Sequence, residues 1–144
     1  MYKHILVPAV GSDQAQATIA QGVELAKEIG AQITVATISQ PFHPSIVEPM
    51  RVRDTVEDYE RKAEVNAAMV LDQANAAARA VGVICNTIHV RHESVCAAII
   101  EVAEQKRCDL IVMALHKRHG FTAIVHESEA VRVLKHCKIP VLVI

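Results

Sequence analysis

Aromatic residues are nearly absent from this sequence: it has no Trp, two Tyr and two Phe, 3% of 144 positions. Single-stranded nucleic acid is held largely by stacking on aromatic side chains, so the scarcity argues against that class of partner and against a large aromatic-walled pocket. An excess of one charge is missing too. Lys and Arg number 15 against 16 Asp and Glu, for a formal net charge of −1, whereas nucleic-acid binders are typically basic. No apolar run approaches the ~18 residues that a membrane span needs. A strand pattern begins by Tyr2 or Lys3, which leaves no room for a signal peptide and implies a cytoplasmic protein. The four cysteines, Cys85, Cys96, Cys108 and Cys137, form no C-x-x-C pair, so neither a zinc knuckle nor a redox motif is spelled out. They read as buried, reduced thiols. Glycine is scarce as well, with five in the chain.

What is present is a single domain, 1–144, with 51% hydrophobic and 22% charged residues. His4-Ile-Leu-Val-Pro8 is an apolar run without alternation, as expected of a strand buried on both faces. Gly11-Ser-Asp13 predicts a turn, with Asp13 as N-cap and Gln16 completing a capping box. From Gln14 to Ile29 the apolar positions Ile19, Val23, Leu25, Ala26 and Ile29 predict a helix closed by Gly30. A β-branched strand follows over Ala31–Ile38, then a loop with Pro41, Pro44 and Pro49. A long, charged, alanine-rich helix is predicted from Arg51 to Val81, and a third strand over Val83–Val90. Ser94 caps a helix to about Gln105 with Cys96, Ile99, Ile100 and Ala103 on its apolar side. Strand four spans Asp109–Met113, a last helix runs from about Glu127 to Cys137, and strand five covers Val141–Ile144.

Strands alternating with helices imply right-handed βαβ units and a doubly wound, five-stranded parallel sheet covered by helices on both faces. In such a sheet the ligand crevice lies beyond the strand C-termini. Here it would be lined by Ala9 to Ser12, the Ile38 end and Ala114 to Ser128. A phosphate site there normally needs glycines, so that backbone N–H groups can approach the anion. The loop Ala114-Leu-His-Lys-Arg-His-Gly120 has one. The apolar terminal strand Pro140–Ile144 would invite uncontrolled pairing at a bare edge, so it is expected to be central or covered by a second subunit.

Tyr2-Lys-His-Ile-Leu-Val-Pro8 followed by Gly11-Ser12, and then Ala103, Asp109–Met113, Gly120, Ser128, Ala130, Arg132–His136 and Lys138–Val143, resemble the universal stress protein family in order and spacing over the whole chain. The resemblance implies an adenine nucleotide alpha hydrolase-like sheet of order 3-2-1-4-5. It also implies a homodimer formed through the last strand, at Val141, Leu142 and Val143. Many members of that family bind ATP through G-x2-G-x9-G followed by Ser or Thr, and an acidic residue after strand one. In this chain the three glycine positions are Ala114, Lys117 and Glu127, the acidic position is Val10, and only Ser128 survives. Ala114 adds a Cβ where close backbone approach matters, Glu127 sets a carboxylate where a triphosphate would lie, and Val10 cannot accept a hydrogen bond from adenine or ribose. The chain resembles the branch that lacks the glycine signature, and no cofactor is expected.

The alternative is a nucleotide module that retains AMP or ATP in a remodelled pocket, with Pro8, Val10, Ile38, Met113, Ala114, Lys117, Arg118, Gly120 and Ser128 as its candidate residues. In it Lys117 and Arg118 would replace backbone amides as anion donors. A solvated basic loop, offset by Glu127 and Glu129, is the plainer account. His116, His119 and His126 invite a metal reading, but no Cys or carboxylate at i+4 spacing completes a ligand set, so no metal is expected. A metal- or redox-responsive sensor using these histidines or Cys137 is a third possibility. No G-x-S-x-G elbow or ordered Ser/His/Asp set appears, and helix capping explains Ser12 and Ser128. Glu101 and Glu104 belong to an exposed helix face, so no catalytic residue is assigned. Protein partners beyond a second copy are unknown.

Overall fold

A computed structural model of the chain describes residues 1–10, 14–42, 56–115 and 128–144. In order these form β1 (His4–Pro8), α1 (Ala15–Ile29), β2 (Gln32–Ser39), α2 (Val56–Ala80), β3 (Cys85–Arg91), α3 (Val95–Gln105), β4 (Leu110–Met113), α4 (Glu129–His136) and β5 (Val141–Val143). The strands make one parallel sheet of order β3-β2-β1-β4-β5. All five residues of β1 are buried, as the unbroken apolar run predicts for a strand paired on both edges. Its register sets Ile5 opposite Ile33 of β2 and Leu110 of β4.

Alternation along the strands sorts side chains to two cores. Ile5, Val7, Ile33, Val35, Leu110 and Val112 pack against α1 and α2. Leu6, Ala36, Ile111 and Met113 pack against α3 and α4. Among the described residues the helices therefore cover both faces, two on each.

Local sequence chemistry explains most boundaries. Ser94 caps α3, its hydroxyl accepting from the Ala97 N–H at 3.2 Å, and Gly30 closes α1 with φ 69°, a conformation that costs glycine little. The start of α1 differs from expectation. Its N-cap is Gln14 and makes no side-chain cap bond; Asp13 lies outside the described residues. Gln16, the expected partner in a capping box, instead donates from Nε2 to Gln73 Oε1 at 2.9 Å. The buried face of α1 is also shifted: Thr18 and Gly22 are on it, Leu25 is half-buried, and Ile29 is exposed. The terminal strand is a sheet edge, not central, with Leu142 and Val143 exposed.

Gly22 marks where α1 lies closest to the sheet. A Cβ built there would sit 2.6 Å from Val7 Cγ2, on a side chain that is fully buried. Alanine gains about 1 kcal/mol of helix propensity over glycine, but overpacking a full core costs about 1–3 kcal/mol. Gly22→Ala is therefore expected to lower the urea midpoint without changing its slope, and a raised midpoint would show that the helix has room to move away.

Candidate functional site

Strand order reverses at β1, which has β2 on one side and β4 on the other. Chains leaving β1 and β4 therefore diverge, and the space between their C-terminal ends is where an open α/β sheet receives a ligand. Pro8 and Val10 reach it from β1, Met113 and Ala114 from β4, and Ala15 and Thr18 from the first turn of α1. The backbone here is already committed: Ala9 N–H donates to Ala36 O at 2.8 Å, and Leu115 N–H to Ile144 O at 3.1 Å. Ser128 opens α4 as its N-cap, its hydroxyl accepting from Val131 N–H at 3.3 Å.

The space left is small. Pro8, Val10, Ala15, Thr18, Met113, Ala114 and Glu129 enclose a void of about 10 Å³, room for roughly one water. Pockets that take nucleotide-sized ligands run to several hundred cubic ångströms, on the order of 300–1,000 Å³. Glu129 sets the electrostatics. One carboxylate oxygen lies 3.7 Å from Arg132 Nη1, while the other is shielded from solvent and has no partner among the described residues. An acidic side chain in the first turn of α4 is favoured by the helix dipole. Helix starts of this kind are where anions commonly bind in α/β folds.

The structure brings together Pro8, Val10, Met113 and Ala114 of the sequence-predicted set. Ile38 packs beside them in the core under α3 and α4 but does not line the void. Lys117, Arg118 and Gly120 lie outside the described residues, as do Gly11, Ser12, His116, His119, His126 and Glu127. Sequence reasoning missed Thr18 and gave Glu129 only a charge-offsetting role. Its position directly after a capping serine was the available signal. Among the described residues no group of three or more His, Cys, Asp and Glu is placed to hold a metal ion.

Elsewhere the charged groups behave as surface groups. Glu101 pairs with His92 at 3.6 Å, and on the β3–α2 side Arg91 reaches Glu60 and Glu64 at 3.5 and 3.7 Å. Exposed pairs of this kind contribute little. Of the cysteines, Cys96 and Cys108 are buried as expected, whereas Cys85 and Cys137 are half-buried, and all four are free thiols. Burial raises the thiols of Cys85 and Cys96 and pushes that of Cys108 up to about 11.

The family model described as the universal stress protein family matches residues 1–144. A universal stress protein of Methanocaldococcus jannaschii is 31% identical over 145 residues, covering 100% of this chain and 82% of its own length. Among solved structures, a universal stress protein family member from Burkholderia pseudomallei is 27% identical with a TM-score of 0.68, over 99% of this chain and 96% of the other. A universal stress protein from Archaeoglobus fulgidus, solved in complex with dAMP, shares the fold at 19% identity and a TM-score of 0.65, over 99% of this chain and 97% of the other. No helix among the described residues is long and apolar enough to cross a membrane.

The thiol environments give a direct check on the packing around α3 and β4. Only the thiolate reacts. At pH 7.5 an alkylating reagent is therefore expected to leave Cys96 and Cys108 of the folded protein unmodified, and to label all four cysteines in denaturant. Rapid native labelling of Cys108 would contradict the burial described.

Proposed function

The chain belongs to the universal stress protein family, and from that premise we propose that it is a non-enzymatic, dimeric stress-response member whose ATP site is degraded. It acts in the cytoplasm through protein contacts. The observation that carries this reading is the void of about 10 Å³ at the ends of β1 and β4, filled by Val10 and Thr18 and bordered by the Glu129 carboxylate. Val10 offers no acceptor to an adenine amine or a ribose hydroxyl. A phosphate brought to the start of α4 would meet like charge on a group that is itself partly withdrawn from water, where such repulsion is least screened. The departures at Ala114, Lys117 and Glu127 from the glycine pattern support the same reading.

Dimerisation is supported by β5. It pairs with β4 on one side, and Leu142, Val143 and Ile144 are 42%, 37% and 39% exposed. An apolar edge with unpaired backbone groups is a template for a second strand, and a second copy of β5 satisfies it.

Isothermal titration with ATP, ADP and AMP, with and without magnesium, is expected to give no saturable heat; micromolar affinity for any of them would favour the remodelled nucleotide module instead. The triple variant Val10→Asp, Lys117→Gly, Glu127→Gly is expected to gain ATP affinity by at least tenfold, and an unaltered titration would show that other residues close the site. Val143→Glu places a charge on the proposed interface and is expected to shift sedimentation from dimer to monomer. An unchanged profile would place the interface elsewhere.

A further inference from the structure

Between the C-terminal ends of β2 and β3, α2 and the start of α1 lies a cavity of about 440 Å³, sharing only Ala15 with the void at the β1 and β4 ends. Its size is that of pockets that take small organic ligands, on the order of 300–1,000 Å³. Small side chains make the room: Ala63, Ala67 and Val70 recur at i, i+4 and i+7 along α2 and line it together with Ala9. Of its polar groups, Ser39 Oγ and His89 Nε2 are hydrogen-bonded at 2.9 Å, Gln16 is bonded to Gln73, and Asn66 is an exposed amide on α2. Thr37 differs. It lines the cavity at 7% exposure, and its Oγ1 is shielded from solvent and has no hydrogen-bond partner among the described residues.

Buried hydroxyls in folded proteins are nearly always paired, and an unpaired one is destabilising. Oγ1 has other staggered χ1 positions, and although a β-branched side chain changes between them at a cost, a hydrogen bond to a molecule seated in the cavity would offset it. Among the described residues no Asp, Glu, Lys or Arg lines the cavity, and an ion taken from water into such surroundings would have no counter-charge. We propose that this cavity binds an uncharged small molecule, with an apolar face laid against Ala63, Ala67 and Val70 and a polar edge hydrogen-bonded to Thr37 Oγ1. Ile38, a candidate residue of the nucleotide module, also lines this cavity, whereas the void at the β1 and β4 ends does not include it, so the two readings are tested separately.

The test is an NMR titration of ¹⁵N-labelled protein with two probes, benzamide and benzoate, which share a ring and differ in charge. Benzamide is expected to produce saturable shifts at the amides of Thr37, Ser39 and Ala67, and benzoate none. Thr37→Val removes the unpaired hydroxyl at constant shape; it is expected to unfold at no lower temperature than the parent and to bind benzamide about tenfold more weakly. Ala63→Met fills the space and is expected to abolish the shifts. The proposal is overturned if benzamide gives no saturable shift up to its solubility limit, if benzoate matches it, or if a folded Thr37→Val variant binds benzamide as tightly as the parent.

Discussion

Parallel pairing of β1 on both edges is the constraint from which the rest of the molecule follows, and the Asp109 carboxylate anchors it. That carboxylate accepts from Lys3 N–H at 2.9 Å and from His4 N–H at 3.0 Å, while Asp109 N–H donates back to His4 O at 2.9 Å. Burial alone would raise the Asp109 carboxyl, but the His4 and Lys3 amide donors outweigh it and hold the group below the usual carboxylate range. On the other edge, His4 Nε2 meets Thr34 Oγ1 of β2 at 2.7 Å. Burial lowers the His4 pKa, against the opposing pull of Asp109, which favours the neutral ring that this contact suits. One end of β1 is thus fastened to both neighbours, and the other end delivers Pro8 and Val10 beside Met113 and Ala114.

The two faces of the sheet then diverge in how they fill the space above the strands. Gly22 lets α1 settle against Val7, which brings Ala15 and Thr18 to the β1 and β4 ends beside Val10 and Glu129. On α2 the residues nearest the β2 and β3 ends are small, and room remains. Among the described residues the same framework therefore leaves a small void at its topological switch point and a larger cavity beside it. Nothing in the backbone pairing distinguishes the two; side-chain volume does.

Much of this was legible in the sequence for identifiable reasons. The apolar run at β1, the Ser94 cap, the terminating Gly30 and the alternation of strand and helix patterns each report a local physical requirement, and together they imply a doubly wound parallel sheet, whose order comes from the family resemblance. The departures at Val10 and Ala114 from the family's nucleotide-binding pattern were visible as residues that cannot do what a carboxylate or glycine does. What was not legible depends on packing between distant segments. Gly22 in mid-helix looks unfavourable until Val7 is placed beneath it. Gln16 suits a capping box until Gln73, far along the chain, takes its amide. Ile29 fits the helical period but is exposed, and Glu129 looks like a solvated acid until one of its oxygens is shielded beside the β1 and β4 ends. Likewise, the alanines of α2 signal a good helix, and only the positions of Thr37 and His89 turn them into the wall of a cavity.

The central proposal is that side chains, not a missing fold, fill the space between β1 and β4. Crystals grown with millimolar ATP and magnesium test it most directly. The account predicts Val10 and Glu129 in place, with at most a single water between them. An adenine nucleotide seated between Val10 and Ser128 would contradict it.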